Sequence, residues 1–252
     1  MSLYILISVD AIQLISIILV LILLFLGYKI FETKWSYKIS KPYNWENSVN
    51  SKQISDRLKN IEGIYRDKVR FYNLWFQVER LKKNNIPGAF AELGVYKGET
   101  AEMLNEMDDS RKLYLFDTFT GFDKNDLQSE SKPDAKYNEE NFSDTSLEAV
   151  KKIFADKANV LFYPGFFPQT ADGLKEENFA LVHLDADLYQ PTITGLRYFY
   201  TRLNPGGVII IHDYNHNWNG VTKAVDEFVL TIPESLVELS DWQGSVMIFR
   251  NK

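Results

Sequence analysis

The stretch that decides the fold is FAELGVYKGETA, residues 90–101. It begins as an apolar run of strand length, and a helical pattern starts near Gly98. Between them, Gly94 and Gly98 allow the backbone to come close to a ligand, and the helix start offers free N–H groups to an anion. These residues predict a strand, a turn and a helix, with a ligand at the end of the strand.

Outward from this unit, short apolar strands alternate with helices. Strands are predicted over residues 88–93, 112–117, 159–163, 180–185 and 207–213, and helices over residues 98–105, 146–155, 192–203 and 220–230. This alternation is typical of an α/β fold with a doubly wound, mostly parallel sheet. Two final strands, residues 235–239 and 245–250, are joined by a tight turn and predict an antiparallel edge.

Two segments fall outside the alternation. Residues 51–85 show apolar residues at gaps of three and four, which predicts one or two amphipathic helices. Residues 118–145 are rich in Asp, Asn, Ser and Lys and are too long for an ordinary connection, so we expect a lid.

The N-terminus has a different character. Residues 11–28, AIQLISIILVLILLFLGY, carry no charge and are about long enough to cross a bilayer. Asp10 precedes this run and Lys29 and Lys34 follow it, whereas a cleaved signal peptide has basic residues in front. We predict a transmembrane anchor over residues 1–28, with the rest of the chain in the cytoplasm because the lysines follow the span.

Composition and charge narrow the classes of function. The 252 residues include no cysteine, which excludes disulfides, thiolate zinc sites and a cysteine nucleophile. Residues 29–83 hold 13 Lys and Arg against 6 Asp and Glu, a net charge of +7, which fits either a membrane surface or a solvated helix face. Residues 84–252 hold 15 against 27, a net charge of −12, which argues against a nucleic-acid partner. We expect a basic linker and helical region over residues 29–86 and a catalytic domain over residues 87–252.

Carboxylates stand at several predicted strand ends. Asp185 and Asp187, in LVHLDADLYQ, repel each other unless a cation, a shared proton or solvent offsets their charge. Glu92 precedes the first glycine, where it could meet an amine, and Asp117 ends the second strand, where it could bind ribose hydroxyls. The turn lacks the Gly-x-Gly-x-x-Gly of dinucleotide folds. One ligand with an amine, a carboxylate and a ribose is S-adenosylmethionine.

The combined motifs resemble those of the macrocin O-methyltransferase family. They are Glu-x-Gly-x-Tyr-x-Gly, LYLFDTFTGF, HLDADLYQPT, LNPGGVIIIHDY and GVTKAVDEF, and they cover about residues 87–250. The resemblance implies a class I, Rossmann-like methyltransferase of sugar hydroxyls that depends on S-adenosylmethionine and magnesium. The glycine turn is also similar to that of catechol-type O-methyltransferases.

The resemblance also implies roles for individual residues. The methionine end of the cofactor would be lined by Glu92, Gly94, Tyr96, Gly98 and Thr100. Asp117 would hold the ribose and Gly165 would lie near the adenine. The metal would be held by Asp185, His212 and Asp213, and Asp187 would be the general base.

One residue departs from the family pattern. Several relatives have paired aspartates where this chain has His212 and Asp213. Imidazole suits manganese, iron or zinc better than magnesium. Either His212 only flanks the site through a hydrogen bond, or the metal preference is broader. Of the other histidines, we expect His183 in the core and His216 in a loop.

The expected acceptor is a sugar hydroxyl of a small molecule or a lipid-linked precursor, with membrane lipid as a further partner. Tyr189 and Trp218 would stack on the sugar ring, although packing in the core or a loop is as good an explanation for both. The helices before Asn85 would either cover the active site or mediate homo-oligomer formation. Methylation of a phenol or an amine, and a non-catalytic membrane-anchored scaffold, remain as alternatives.

Overall fold

The structure is a computed structural model that describes residues 2–35, 41–128, 130, 137–174, 177–215 and 219–251. It has two compact units, Met1–Ser51 and Lys52–Lys252. The predicted boundary between residues 86 and 87 falls inside the second unit, because the helices before it share that unit with the sheet.

The first unit consists of two helices, α1 (Ser2–Trp35) and α2 (Tyr43–Asn50). Within the described residues, Ala11–Phe31 forms a candidate membrane span of 21 residues with a mean hydropathy of 2.7. None of this span is buried, so it differs from the core helix of a soluble protein, but a signal sequence would pass the same test of length and composition. The structure therefore shows the predicted apolar helix.

The second unit begins with α3 (Asp56–Ile64) and α4 (Lys68–Lys83). Each helix starts at a side-chain cap: Ser55 accepts from the N–H of Leu58, and Asp67 accepts from the N–H of Arg70. The amphipathic region is therefore two helices. In α4 the apolar face, which includes Leu74, is buried.

The remaining elements follow in chain order. They are β1 (Ala89–Leu93), α5 (Glu99–Met107), β2 (Leu113–Asp117), α6 (Lys124–Gln128), α7 (Leu147–Ile153), β3 (Val160–Pro164), a 3-10 helix (Gln169–Leu174), β4 (Phe179–Leu184), α8 (Tyr189–Tyr200), β5 (Leu203–Ile211), α9 (Asn219–Val229), β6 (Leu236–Glu238) and β7 (Val246–Phe249). Every predicted strand is present.

The predicted helix over residues 192–203 differs from α8 at both ends. The helix starts three residues earlier because Pro191 lies in its first turn, where the missing N–H would have no helical partner. At the other end, Leu203 already belongs to β5 and pairs with Phe179, and a register shift between Phe179 and Leu181 accommodates Pro205 and the glycines after it.

The strands form one sheet in the order β3-β2-β1-β4-β5-β7-β6. Strands β1 to β5 are parallel, whereas β7 runs antiparallel to both β5 and β6. This confirms the doubly wound fold with an antiparallel edge. The strand order reverses between β1 and β4, and ligands bind in the crevice at such a switch point.

The core fixes the sheet below this crevice. Both β1 and β4 are buried along their whole length. Aromatic rings pack on one face, where Phe167 stacks on Phe199 at 5.5 Å and Phe116 meets Phe167 edge to face. The strand ends that border the crevice are therefore held by a closely packed core.

Candidate active site

A cavity of about 380 Å³ lies at the carboxyl ends of the parallel strands. It is lined by ten of the predicted site residues, Glu92, Gly94, Tyr96, Thr100, Asp117, Gly165, Asp185, Asp187, His212 and Asp213. The topology therefore brings together residues from five strand ends that are far apart in the chain.

Gly98, the eleventh predicted residue, does not line the cavity. It caps the start of α5 with a left-handed φ of +83°, and a Cβ there would lie 2.9 Å from Cγ1 of Val150. Backbone conformation and close packing against α7 thus account for this glycine.

Gly94 also has a left-handed backbone, with a φ of +88°. A Cβ there would lie 2.6 Å from the carbonyl carbon of Asp185, so the close approach is to the end of β4. The N–H of Asp185 donates to the carbonyl of Leu93 at 2.9 Å across the same junction. The absence of a side chain at Gly94 therefore lets the ends of β1 and β4 come close together at the cavity.

Asp117 organises the turns around the cavity. Its Oδ2 accepts from the N–H groups of Val95 at 2.6 Å and Tyr96 at 2.9 Å, and its Oδ1 accepts from Phe119 at 2.6 Å. A carboxylate has about four acceptor positions, and the hydroxyl of Thr118, 3.5 Å from Oδ1, also donates to the carbonyl of Gly121, so capacity remains for a ligand hydroxyl. Nearby, Gly165 has a φ of +124° and its N–H donates to the carbonyl of Asp117 at 2.9 Å.

Glu92 is buried and has one side-chain hydrogen-bond partner among the residues that the structure describes. Its Oε1 is 2.9 Å from Nδ1 of His183, while its Oε2 is buried without a hydrogen bond. Burial and the negative charge of Asp185 raise the pKa of Glu92 well above its usual range. A buried acceptor without a donor fits a ligand that brings its own N–H groups, such as an ammonium.

His183 is in the core, as predicted, but it has polar partners on both ring nitrogens. Arg70, in the first turn of α4, places Nη2 3.0 Å from Nε2 of His183. Because a guanidinium only donates, Nε2 accepts and the Nδ1–H of His183 donates to Glu92. Burial and the charge of Arg70 lower the pKa of His183 to about 3, so the ring is neutral.

Asp185, His212 and Asp213 form a cluster in which one ligand atom from each lies within 4.8 Å of the others. Nδ1 of His212 is 3.0 Å from Asp185 and 3.1 Å from Asp213. Burial opposes protonation of His212, but the charge of Asp185 and the hydrogen bonds to Asp185 and Asp213 together raise the pKa of His212 to about 10. Two carboxylates and a neutral imidazole are a donor set that fits a divalent cation, so metal binding through His212 would require the ring to release its proton.

Two neighbouring cations balance Asp185. Nη2 of Arg70 lies 2.5 Å from Oδ2 of Asp185, and His212 lies at Oδ1. Burial alone would raise the pKa of Asp185, but the charges of His212 and Arg70 hold it well below its usual range. Side-chain cations thus offset the repulsion that the sequence predicts at this strand end.

Asp187 lies just after this strand with a left-handed φ of 59°. Burial and the charges of Asp185 and Asp213 raise the pKa of Asp187 well above its usual range. Tyr137, from the long connection after β2, donates to its Oδ1 at 3.2 Å. A carboxylate with a raised pKa in a cavity is suited to accept a proton.

The long connection after β2 is attached to the glycine turn. The hydroxyl of Tyr96 and the ammonium of Lys97 both donate to Asp144 at 2.6 Å, and the hydroxyl of Thr145 donates to the carbonyl of Tyr96 at 2.6 Å. Phe142 packs edge to face on Tyr96 at 5.1 Å. The segment therefore lies against the cavity, and its role as a lid stays a prediction.

Sequence reasoning missed Arg70, Tyr137 and Gln243, whose Nε2 donates to Asp213 at 3.0 Å. For Arg70 a signal was present: it precedes the buried residues Leu74, Val78 and Leu81 of α4 at gaps of four, four and three. A charge on the apolar stripe of a helix indicates a buried partner.

Of the aromatic residues predicted to stack on a sugar, Tyr189 instead donates its hydroxyl to Glu227 at 2.6 Å and does not line the cavity. Trp218 and His216 lie outside the described residues.

Comparison with known proteins agrees with this geometry. The family model described as macrocin-O-methyltransferase (TylF) matches residues 64–251. The chain belongs to this family. The match includes the first turn of α4, so Arg70 lies inside the family region.

Two curated relatives are O-methyltransferases by name. The 8-demethyl-8-(2,3-dimethoxy-alpha-L-rhamnosyl)-tetracenomycin-C 4'-O-methyltransferase of Streptomyces olivaceus is 30% identical over 156 residues, which cover 58% of this chain and 60% of the relative. The mycinamicin III 3''-O-methyltransferase of Micromonospora griseorubida is 32% identical over 160 residues, 58% of this chain and 62% of the relative. The chain thus spans about 60% of the length of these curated relatives.

Among solved structures, the O-methyltransferase NovP is 26% identical with a TM-score of 0.63, and the match covers 73% of this chain and 81% of NovP. The calicheamicin methyltransferase CalS11 has a TM-score of 0.60 at 17% identity, over 85% of this chain and 95% of CalS11, and supports the fold alone.

Proposed function

We propose that this protein transfers a methyl group from S-adenosylmethionine to a sugar hydroxyl of a glycosylated metabolite or glycan precursor. The observation that carries the proposal is that one cavity holds both Glu92 with Asp117 and the cluster around Asp185. Glu92 and Asp117 suit the amine and the ribose of the cofactor, and the cluster around Asp185 suits an acceptor hydroxyl. The name of one curated relative contains a rhamnosyl group together with a 4'-O-methyltransferase activity, which supports a sugar as the acceptor.

The cofactor would bind on the side of β1 and β2. The free acceptor Oε2 of Glu92 would receive the amino group, and Thr100, whose hydroxyl lies 3.2 Å from that of Tyr65, would lie near the methionine end with Gly94 and Tyr96. Asp117 would hold the ribose and Gly165 would flank the adenine. When bound, S-adenosylmethionine supplies an electrophilic methyl group on its sulfonium.

The acceptor hydroxyl would lie between Asp187 and the cluster of Asp185, His212 and Asp213. Asp187 would accept its proton, because a raised pKa makes this carboxylate a stronger base than an exposed one. A divalent cation held by the cluster would stabilise the developing alkoxide. Magnesium is the expected ion for this family, and the imidazole of His212 extends the preference toward manganese or zinc.

We further propose that α1 anchors the protein in a membrane, with the methyltransferase domain on the cytoplasmic side, where a lipid-linked sugar would be within reach. The support is the apolar, exposed span Ala11–Phe31 and the lysines that follow it. Residues 29–83, with their net charge of +7 from 13 basic and 6 acidic residues, would lie near anionic lipid.

The test is calorimetric titration of the purified protein with S-adenosylmethionine, followed by a methyl-transfer assay on sugars, phenols and amines. We expect Asp117→Ala to lose cofactor binding and the exposed control Asp156→Ala to keep it. Asp187→Asn should bind the cofactor normally and lose methyl transfer by roughly 100-fold or more. Transfer only to phenols or amines would replace the sugar acceptor, and a folded wild type that does not bind the cofactor would favour a scaffold.

A further inference from the structure

We propose that Arg70 is a built-in competitor for the metal: its guanidinium occupies Asp185 and weakens the binding of a divalent cation there. The inference rests on the proposed function only in taking Asp185, His212 and Asp213 as the metal site. It concerns how tightly a divalent cation binds at that site.

Arg70 is held in place by its helix. It lies in the first turn of α4, where its N–H donates to the cap residue Asp67 at 3.0 Å. The other oxygen of Asp67 accepts from the N–H of Trp242 at 2.8 Å, which ties the start of α4 to the turn before β7. The guanidinium therefore reaches the cavity from a backbone that is fixed on two sides.

The contacts of the guanidinium are specific. Nη2 lies 2.5 Å from Oδ2 of Asp185 and 3.0 Å from Nε2 of His183. Only 13% of the Arg70 side chain and 23% of the Asp185 side chain are exposed, so water screens the pair weakly. With His212 at Oδ1, both oxygens of Asp185 already have a hydrogen-bond donor.

A cation that binds Asp185 must share it with Arg70 or displace it. The guanidinium keeps its charge at any pH at which the protein is folded, so it repels a divalent ion bound to the same carboxylate. The same Nη2 also donates to His183, which is itself hydrogen-bonded to Glu92. The fold therefore keeps the permanent positive charge of Arg70 in contact with the carboxylate of Asp185, and this charge opposes metal binding there.

A purely structural role predicts a different result. If Arg70 only orients Asp185, removing it should misplace the carboxylate and weaken metal binding. If Arg70 competes, removing its charge should strengthen metal binding. Metal affinity thus separates the two roles without an activity assay.

The experiment is calorimetric titration of the full chain with Mn²⁺, comparing wild type, Arg70→Gln and Arg80→Gln. Arg80 lies ten residues further along the same helix, about 15 Å away, and donates to the carbonyl of Gly206, so it is a matched control. We expect Arg70→Gln to bind Mn²⁺ tighter by about tenfold or more and Arg80→Gln to match wild type. The proposal would be overturned if folded Arg70→Gln bound Mn²⁺ as tightly as wild type or more weakly. It would also be overturned if neither wild type nor Arg70→Gln bound Mn²⁺.

A second measurement needs no variant and covers the case in which Arg70→Gln does not fold. In wild type with nitrogen-labelled arginine, saturation with Mg²⁺ should shift the side-chain resonances of Arg70 and leave those of Arg80 in place. Saturation without any change at Arg70 would show that the two cations do not compete. Binding of S-adenosylmethionine by the same samples tests the proposed function separately, because the cofactor would contact Glu92 and Asp117 and not the metal ligands.

Discussion

At the scale of single residues, the junction between the two central strands depends on Gly94. Its φ of +88° disfavours any side chain, and a Cβ would overlap the backbone of Asp185. We expect Gly94→Ala to lower the free energy of unfolding by about 3 kcal/mol, as measured by urea denaturation.

The control for this prediction is Gly63→Ala. Gly63 lies in α3 with open space around its Cα, so alanine there should stabilise the protein by roughly 0.5–1 kcal/mol through helix propensity. If both variants had the same midpoint of urea unfolding as wild type, close packing at the strand junction would be refuted as the reason for the glycine at position 94.

Individual residues also show what sequence reasoning could reach in the site. Asp117, Asp185 and Asp213 could be predicted because they end or follow apolar strands, and a parallel sheet brings such ends to one edge. Arg70 and Tyr137 could not be placed in the same way. They come from a helix before the sheet and from a long connection, whose positions depend on tertiary packing that periodicity does not encode.

At the scale of secondary-structure elements, Asp67 has two roles at the start of α4. It caps the helix through the N–H of Arg70 and also binds the N–H of Trp242. Ser55 caps α3 through the N–H of Leu58 at 3.0 Å, and its hydroxyl makes only a long, exposed hydrogen bond to Glu106 at 3.4 Å. We expect Asp67→Ala to lower the free energy of unfolding by about 2 kcal/mol and Ser55→Ala by about 1 kcal/mol. Equal losses in thermal or urea unfolding would mean that the link to Trp242 contributes no stability.

Helix α6 carries a titrating group. Burial, followed by the charges of Asp123 and Glu130, raises the pKa of Asp126 to about 7. Because the folded state binds this proton more tightly than the unfolded state does, its contribution to stability is lost as the pH rises from about 4 through 7.

Asp126→Asn removes this titration. The variant should therefore gain stability relative to wild type between pH 5 and pH 8, on the order of 1–2 kcal/mol after allowance for solvent screening. Urea unfolding at the two pH values measures the difference, and a stability difference that does not change with pH would contradict the prediction.

The limits of α8 show why element boundaries were harder to predict than elements. The pattern placed the helix start after Pro191, and the structure places Pro191 inside the first turn, where proline is tolerated. The central strands β1 and β4 were found because their apolar runs are fully buried on both faces.

At the scale of the whole molecule, the proposed anchor can be tested by flotation with lipid vesicles. We expect the full chain to float with vesicles and to resist extraction by high salt, since the exposed apolar span provides the affinity. Leu23→Arg, near the middle of the span, should reduce this association because a central charge costs about 2.5–3.5 kcal/mol. Cofactor affinity should be the same in both proteins. A full chain that stays in the aqueous fraction would rule out the anchor.

The neutral ring of His183 gives the protein an intrinsic spectroscopic reporter. The chain has only three histidines; of the two within the described residues, His212 lines the cavity and His183 contacts the cavity-lining residues Glu92 and Arg70. The nitrogen resonances of His183 depend on Glu92 through one ring atom and on Arg70 through the other. Histidine labelling would therefore distinguish, in a single spectrum, a ligand that arrives on the Glu92 side from one that arrives at Asp185.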